Sequence, residues 1–310
     1  MTLLLHNIIP HLEATIHGVV ATTEIDTISI DSRSMQNNVN TLFFALVGPN
    51  YDAHQYIPEL IAQGVQNFVV TNIPEHLLNK ATFFVVEDTK VALQKFAIYY
   101  RSLFDFQVIG ITGSNGKTIV KEWLNFLLSP DYNIIRSPKS YNSQIGVPLS
   151  VIAINEKHNL GVFEAGISTV DEMQTLQKII QPTIGLLTNI GSAHDEGFEN
   201  IGEKIKEKLQ LFKDVDVLIY NKNKTIEQFL PSLGIPTSGT RNLFSWSCKD
   251  KEADVFIRKN VVLDKTHLMV HYQKENFEVK VPFLDDASVE NSIQCLMVLL
   301  HFGYHFETIQ

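Results

Sequence analysis

The 310-residue sequence has no uninterrupted apolar run near the roughly 18 residues that a membrane-spanning helix needs. Its first residues, MTLLLHNIIPHLEA, carry no basic start and only a short apolar stretch, which argues against a secretory signal. The two cysteines, Cys248 and Cys295, lack the spacing of a metal site. Two thiols in so long a chain suit a reducing compartment better than a disulfide scaffold. We therefore expect a cytoplasmic protein.

Positive charge is scarce as well, since 25 Lys and Arg stand against 34 Asp and Glu, for a net charge of −9. This balance argues against nucleic acid as the main partner, although a local basic pocket could still hold phosphate. Repeats and low-complexity tracts are absent too. With 310 residues, 45% of them hydrophobic, the chain is long enough for two domains with buried cores. Small-molecule partners are therefore favoured.

The order of apolar runs predicts an α/β protein with two domains. In residues 1–103, short β-rich runs such as TLFFALVG and TFFVVED alternate with helix-like stretches, which indicates a small α/β domain. In residues 104–310 the rhythm becomes strand, loop, helix, as in VIGIT followed by TIVKEWLNFLL. That alternation predicts a mostly parallel sheet covered by helices. Two or three further strands at 253–283 and a closing amphipathic helix follow.

The stretch GITGSNGKT, residues 110–118, lies between a predicted strand and a predicted helix, which is the context of a phosphate-binding loop. It departs from the usual G-x-x-x-x-G-K-[ST] pattern, because Ile111 stands where the first glycine belongs. Glycines let backbone amides converge on an anion, and the helix start adds its positive end. Lys117 would then face the outer phosphates and the Thr118 hydroxyl would bind Mg²⁺. A plain strand-to-helix turn is the competing interpretation.

Two further strands end in residues that suit a metal site. LGVFEAG runs into Glu164, and TIGLLTNIGSAHDE runs into a loop that holds His194. Because ligands of open α/β sheets bind at the carboxyl ends of the strands, both residues could meet Lys117 and Thr118 at one edge. A carboxylate there suits Mg²⁺. Taken alone, Glu164 could equally be a surface or capping acid, and His194 an ordinary loop histidine.

The lysine-rich stretch EKIKEKLQLF, residues 203–212, predicts a helix on which one lysine stands apart. At about 100° per residue an apolar stripe forms, and Lys208 lies about 20° outside it beside Ile201. Lys204 falls farther out, and Lys206 falls on the other flank. A lysine at the border of a packed face is a candidate for a shifted pKa, with snorkelling as the alternative. The predicted stripe consists of Ile201, Ile205, Leu209 and Phe212.

Two polar loops are weaker candidates. SYNSQIGVPLS, residues 140–150, carries Asn142, whose amide could bind phosphate or a hydrated metal, but asparagine is common in loops anyway. IDSRS, residues 30–34, carries Ser32 and Arg33, which could hold a phosphate. A turn stabilised by Asp and Ser explains the second pattern equally well.

Taken together, these motifs resemble the Mur ligase family of ATP-dependent amide-forming enzymes in peptidoglycan synthesis. That family's loop reads G-[IV]-T-G-[ST]-[NS]-G-K-[ST], which GITGSNGKT matches throughout. GKTIVKE, YNSQIGVP, SAHDEGF and the N-terminal DSR and FFAL elements resemble the branch that adds D-alanyl-D-alanine to the UDP-N-acetylmuramoyl-tripeptide. The resemblance covers nearly the whole chain. It implies a UDP-substrate-binding domain at 1–103 and a central P-loop ATPase domain at 104–310.

The resemblance also implies roles for matching positions. It places Mg²⁺ on Thr118 and Glu164, a second metal on His194, and a carbamylated, metal-binding lysine at Lys208. Lys117, Lys208 and His194 would be catalytic, and Ser32 and Arg33 would bind the UDP moiety. Asn142 would lie near the γ-phosphate and Asn291 near the nucleoside. The residues expected to bind ATP are Gly113, Ser114, Asn115, Gly116, Lys117, Thr118, Asn142 and Asn291.

Some positions depart from the family pattern. Gln210 replaces the usual Glu after the carbamylated lysine, YNSQ replaces N-x-N-N, and ASVEN replaces H-N-x-x-N. The sequence stops after helix-like residues, and the resemblance leads us to expect a C-terminal Rossmann-like domain beyond Gln310. On this interpretation the chain is a fragment with weak or no activity alone. As in some members of this branch, the complete protein could be fused to an alanine racemase.

Two alternatives to this ligase remain. Another Mur branch or a folylpolyglutamate-type ligase would share the phosphate loop but use a different acceptor. A non-catalytic module that binds nucleotide or UDP-sugar would bind without turnover. Comparing D-alanyl-D-alanine, a diamino acid and glutamate as acceptors would distinguish this ligase from the other ligase branches. Nucleotide binding without turnover would identify the non-catalytic module.

Overall fold

A computed structural model describes residues 2–18, 24–33, 39–191, 197–235 and 242–309. Contacts divide the chain into two compact units, one of residues 1–104 with 151–156 and one of residues 105–150 with 157–310. The grouping of residues 151–156 with the first unit differs from the division into 1–103 and 104–310 that the sequence predicted. Within the described residues, no helix is long and apolar enough to cross a membrane.

The first unit is built on a sheet with strand order β2-β9-β8-β5-β4, parallel except for the antiparallel pair of β2 and β9. Its core packs aromatic rings from three neighbouring strands. The Phe68 ring stacks on Phe83, with centroids 5.6 Å apart, and meets Phe43 edge to face at 6.2 Å. The elements of this unit are β1 (Leu3–Leu4), α1 (Leu5–Leu12), β2 (Thr15–His17), β3 (Glu24–Ile25), β4 (Thr27–Ser29), β5 (Thr41–Phe44), β6 (Val47–Gly48), β7 (Tyr51–Asp52), α2 (Ile57–Ala62), β8 (Asn67–Val70), β9 (Thr82–Val85) and α3 (Thr89–Arg101).

The second unit is built on a larger sheet with strand order β11-β12-β10-β13-β14-β15-β16-β17-β18. Strands β11 to β16 pair in parallel, and β17 and β18 continue antiparallel. Its elements are β10 (Gln107–Thr112), α4 (Lys117–Leu128), β11 (Ile134–Arg136), α5 (Gly146–Ile152), β12 (Leu160–Glu164), α6 (Glu172–Ile180), β13 (Ile184–Leu187), α7 (Ile201–Leu209), β14 (Val217–Asn221), α8 (Lys224–Glu227), β15 (Asn242–Ser247), β16 (Val255–Val262), β17 (Lys265–Tyr272), β18 (Glu275–Val281), α9 (Asp286–His301) and α10 (Phe306–Ile309). The last two residues of α5 group with the first unit.

The predicted α/β class with a mostly parallel central sheet is confirmed. Apart from the exposed Gln107 at the start of β10, the central strands β10, β12 and β13 are buried and read as largely apolar runs, as expected when helices cover both faces. Helix α4 packs on β10 and β12 through Val120 and Leu124, and α9 packs against α4. The carboxyl ends of β10, β12 and β13 therefore lie side by side, with the loop between β10 and α4 at their edge.

Candidate active site

The loop between β10 and α4 has a backbone that only glycine accommodates at two positions. Gly113 has φ +149° and Gly116 has φ +83°. A Cβ at Gly113 would lie 2.0 Å from the Thr188 hydroxyl oxygen, and one at Gly116 would lie 2.3 Å from the Asn291 amide oxygen. The loop therefore packs closely against Thr188, which follows β13, and against Asn291 of α9. It leads into the amino end of α4. The first amides of a helix have no intrahelical acceptor and can bind an anion.

Residues 188–191, which follow β13, hold this loop in place. The amides of Ser114 and Asn115 donate to the backbone oxygen and side-chain oxygen of Asn189, at 2.8 and 3.0 Å. The Ser114 hydroxyl donates to the Gly191 carbonyl and accepts from its amide, at 3.1 and 2.9 Å. The Thr188 hydroxyl donates to the Asn115 carbonyl at 2.7 Å. From the sequence, the amides of the loop were expected to bind the phosphate. In the structure the amides of Ser114 and Asn115 instead donate hydrogen bonds to Asn189.

Lys117 folds back over this loop. Its ammonium donates to the Gly113 carbonyl at 2.9 Å and to the Ser114 carbonyl at 3.2 Å. Burial lowers the pKa of Lys117, the nearby Glu164 carboxylate opposes that fall, and the charge of Lys204 adds to it. The ammonium therefore lies beside the loop, where the phosphates of a bound nucleotide would lie. A phosphate oxygen would replace the two uncharged carbonyl acceptors.

The acidic side of the site is a buried pair at the carboxyl end of β12. Thr118 donates to one oxygen of Glu164 at 2.8 Å, and the Lys121 ammonium lies 3.4 Å from the other oxygen. Glu164 and Lys121 are both fully buried. Lys121 also contacts Glu122 at 3.2 Å and donates to the Lys139 carbonyl. Lys121 was missed as a site residue, although its place one helical turn after Lys117 was a usable signal.

These oxygen donors suit Mg²⁺. Mg²⁺ prefers oxygen ligands and is usually bound through one or two carboxylates together with substrate phosphates. Thr118 and Glu164 offer one hydroxyl and one carboxylate, 2.8 Å apart, beside the loop. In the described part of the chain, no three His, Cys, Asp or Glu side chains cluster as a metal cage. The donor set therefore fits a metal that arrives with a phosphorylated ligand.

Helix α7 presents two buried lysines to the loop side of the site. Lys208, 1% exposed, donates to the Gly113 carbonyl at 3.2 Å. Burial and the charges of Lys117 and Lys204 lower the pKa of Lys208 to about 8. The sequence predicted that Lys208 lies at the border of the packed face of α7 and is a candidate for a shifted pKa. In the structure it is buried against the loop and its pKa is lowered. Its carbamylation stays a prediction.

The sequence analysis was wrong about two other positions of α7. Lys204 was expected farther outside the apolar stripe than Lys208, yet it is fully buried and donates to the Gly191 carbonyl at 2.5 Å. Ile201 was placed in the apolar stripe, yet it is 50% exposed. The reason is that residues four apart share a face, so Lys204 and Lys208 both point at the loops after β10 and β13. Helical periodicity alone cannot tell a face packed on loops from one packed on core.

The remaining predicted residues lie in three places. Asn142 accepts from the Gly166 amide through its backbone oxygen at 2.8 Å, just beyond the end of β12, and Asn291 lies against Gly116 as described. Ser32 and Arg33 belong to the first unit. There the 87% exposed Arg33 side chain forms two bonds to Asp31, at 2.9 and 3.0 Å. His194 lies outside the described residues.

A cavity of about 360 Å³ opens beside the loop. Its apolar wall includes Ile190, Ile205 and Ile226, and its polar rim includes Asn221 and Glu290. Ligand sites commonly measure about 300–1,000 Å³ and combine an apolar wall with a few polar groups. A larger, charge-lined cavity of about 760 Å³ shares Asn221, Asn223 and Glu290 with it but is lined by none of residues 187–190. The smaller cavity is the better candidate for a nucleoside, because residues 188 and 189 line both it and the loop.

Comparison with known proteins supports the resemblance. The family model described as Mur ligase middle domain matches residues 111–299. The UDP-N-acetylmuramoyl-tripeptide--D-alanyl-D-alanine ligase of Haemophilus influenzae is 28% identical over 284 residues, covering 90% of this chain and 60% of that protein. The ligase of the same name from Bacillus subtilis is 29% identical over 288 residues, covering 91% and 60%. The chain thus spans about 60% of the length of these curated relatives.

Among solved structures, a crystal structure of MurF from Acinetobacter baumannii superposes with a TM-score of 0.87. The two chains are 24% identical, and the match covers 100% of this chain and 67% of the other. At that identity the likeness establishes the fold of the present chain.

Proposed function

Because the chain belongs to the Mur ligase family, we propose that its gene product is an ATP-dependent ligase that joins D-alanyl-D-alanine to a UDP-N-acetylmuramoyl-tripeptide in peptidoglycan synthesis. The observation that carries the proposal is the constellation of Lys117, Thr118 and Glu164 around the loop after β10. The names of the similar proteins support the choice of substrates. The cavity next to the loop supports a nucleoside triphosphate as the energy source.

The proposed reaction has two steps. A carboxylate of the UDP-linked peptide attacks the γ-phosphorus of ATP, which gives an acyl phosphate and ADP. The amine of D-alanyl-D-alanine then attacks the acyl carbon, and phosphate leaves from the tetrahedral intermediate. Phosphoryl transfer of this kind needs little covalent help from the protein, so catalysis rests on positioning and charge neutralisation.

The residues of this chain would divide those tasks. Lys117 would exchange its carbonyl acceptors for oxygens of the terminal phosphates and neutralise charge that develops there. Thr118 and Glu164 would hold Mg²⁺, which would shield the phosphate charge when bound. Asn142 would lie near the γ-phosphate, and Lys208, with its lowered pKa, could react with CO₂ to form a carbamate ligand.

We also propose that Ser32 and Arg33 bind the UDP moiety, with Arg33 exchanging Asp31 for a phosphate. Arg33→Ala should raise the KM for the UDP-tripeptide and leave nucleotide affinity unchanged. Arg258→Ala is the matched control, because Arg258 is an exposed arginine on β16 of the second unit. An unchanged KM in Arg33→Ala would remove Arg33 from the substrate site.

We infer a cytoplasmic location, since both cysteines, Cys248 and Cys295, are free thiols, as is usual in a reducing compartment. The second metal at His194 and the fusion to an alanine racemase stay predictions.

The function is tested by supplying the complete gene product with ATP, Mg²⁺, UDP-tripeptide and D-alanyl-D-alanine. We expect phosphate release and a product whose mass includes the added dipeptide. Parallel reactions with a diamino acid or glutamate should release little phosphate. Preference for either of those acceptors would reassign the branch, and nucleotide binding without turnover would favour the non-catalytic module.

A further inference from the structure

Lys204 on α7 is a buried cation that the proposed mechanism does not use. Its side chain is fully buried, and its ammonium donates to the Gly191 carbonyl at 2.5 Å. That same carbonyl accepts from the Ser114 hydroxyl at 3.1 Å. A single backbone oxygen therefore separates the Lys204 ammonium from the phosphate loop.

When Lys208 is not carbamylated, Lys204 completes a group of three ammonium groups around the first half of that loop. Lys117 and Lys208 both donate to the Gly113 carbonyl, at 2.9 and 3.2 Å. The charge of Lys204 contributes to the lowered pKa of Lys117 and of Lys208, so the three cations are close enough to repel one another. A multivalent anion placed among these ammonium groups is attracted by all of them, and most strongly where water is excluded.

The position of Lys204 is determined by the fold. Asn200 caps α7 by accepting from the Glu203 amide at 3.0 Å, which fixes where the first turn begins. Lys204 then lies one turn before Lys208 on the same face. Lys206, between them in sequence, is exposed, and its ammonium lies 5.6 Å from the centroid of the Phe229 ring. One helix thus offers two buried lysines on the loop side and an exposed lysine for comparison.

We propose that Lys204 is a further phosphate-binding residue, which contacts the terminal phosphates of the bound nucleotide from the β13 side of the loop. Thr118 and Glu164 approach the same phosphates from the β12 side. Lys204 therefore contributes to the discrimination of ATP from nucleotides with fewer phosphates. This inference rests on the proposed function, because it takes the loop after β10 to be the nucleotide site.

The test is calorimetric titration of the chain with ATP, ADP and AMP in a buffer that contains a chelator, so that metal binding does not contribute. Lys204→Met removes the charge, and Lys204→Gln removes it while keeping a donor for the Gly191 carbonyl. Lys206→Met is the matched control. We expect both Lys204 variants to bind ATP about tenfold more weakly or worse, because each loses a charge-assisted hydrogen bond to a phosphate oxygen. Affinity for AMP should change by less than about twofold, and Lys206→Met should bind all three nucleotides like the wild type.

The outcomes separate this inference from the proposed function. Wild-type protein that binds none of the three nucleotides overturns both. Wild-type binding of ATP with equal affinity in the Lys204 variants overturns the role of Lys204 alone. An equal loss of ATP and AMP affinity also overturns it, since that pattern marks a general structural defect. Circular dichroism of both variants verifies that they fold, and Lys204→Gln serves if Lys204→Met does not.

Discussion

Replacing Lys208 by methionine should stabilise the second unit, because the fold buries the charged ammonium of Lys208 away from water. The pKa of Lys208 falls from the ordinary 10.5 to about 8, with burial as the main cause. At about 1.4 kcal/mol per pH unit, that difference corresponds to about 3 kcal/mol of destabilisation at neutral pH. The variant loses one hydrogen bond to the Gly113 carbonyl, worth about 1 kcal/mol, but Lys117 still donates to that oxygen at 2.9 Å. The net gain in the free energy of unfolding should be about 2 kcal/mol.

The gain should depend on pH in a defined direction. Because the folded-state pKa of Lys208 is lower than the unfolded one, the unfolded chain binds more protons between about pH 8 and 10.5. The destabilisation by Lys208 is therefore fully present below pH 8 and disappears as the pH rises through that window. The advantage of Lys208→Met over the wild type should accordingly be largest at pH 7 and small near pH 10.5. The charged neighbours that set this pKa are Lys117 and Lys204.

The assay is urea unfolding followed by tryptophan fluorescence. Both tryptophans, Trp123 and Trp246, lie in the second unit, so the signal reports the unit that holds Lys208. Buffers must be free of CO₂, because a carbamate would change the charge being measured. Lys206→Met is the control and should change the free energy of unfolding by less than about 0.5 kcal/mol. Equal or lower stability of Lys208→Met at pH 7, with no convergence at high pH, would refute the reasoning.

Three further predictions concern other residues of the site. Lys121→Met should lower the free energy of unfolding by about 3–5 kcal/mol, because it leaves Glu164 as a buried carboxylate without its cation. The double variant Lys121→Met, Glu164→Gln should recover part of that loss in the same urea assay. Gly116→Ala should weaken ATP binding, measured by calorimetry, because φ is +83° and the new Cβ would meet the Asn291 amide oxygen. Lys117→Ala should lower ATP-dependent phosphate release by the complete gene product by about 100-fold or more.

Each of these has a comparison that could contradict it. If the double variant is no more stable than Lys121→Met, the pair with Glu164 does not explain the loss. Gly303→Ala has a similar backbone, φ +78°, but no atom within 4 Å of the added carbon, so it should leave ATP affinity unchanged. Equal ATP affinity of Gly116→Ala and Gly303→Ala would show that the contact with Asn291 is irrelevant. Unchanged phosphate release by Lys117→Ala would remove the loop from the mechanism.

The sequence predicted those parts of the site that depend on the order of elements along the chain. The glycines at 113 and 116 in a strand-to-helix context predicted a phosphate-binding loop, and the structure has both residues at positive φ between β10 and α4. Glu164 could be placed near Thr118 because parallel strands end at one edge of a sheet. The strands at 253–283 were also expected, and the structure has three of them.

What the sequence could not predict depends on contacts between distant segments. The bonds from Ser114 and Asn115 to Asn189 join residues about 75 positions apart, and no local pattern encodes them. Helical periodicity placed Lys204 farther outside the apolar stripe than Lys208, yet Lys204 is fully buried, because periodicity assigns burial from apolar neighbours and takes no account of loops. The spacing of Lys121 from Lys117 on α4 was a usable signal, but its pairing with Glu164 at the end of β12, 43 positions along the chain, could not be predicted from a local pattern. Strand β15, residues 242–247, was not anticipated either.

The most direct measurement is a crystal structure of the chain with Mg²⁺ and a non-hydrolysable ATP analogue. The account predicts that the β- and γ-phosphates follow the loop from Gly113 to Thr118, with the ammonium of Lys117 in contact and Mg²⁺ at about 2.1 Å from oxygens of Thr118 and Glu164. Phosphates bound elsewhere on the protein, or a metal held without either of those two side chains, would contradict it.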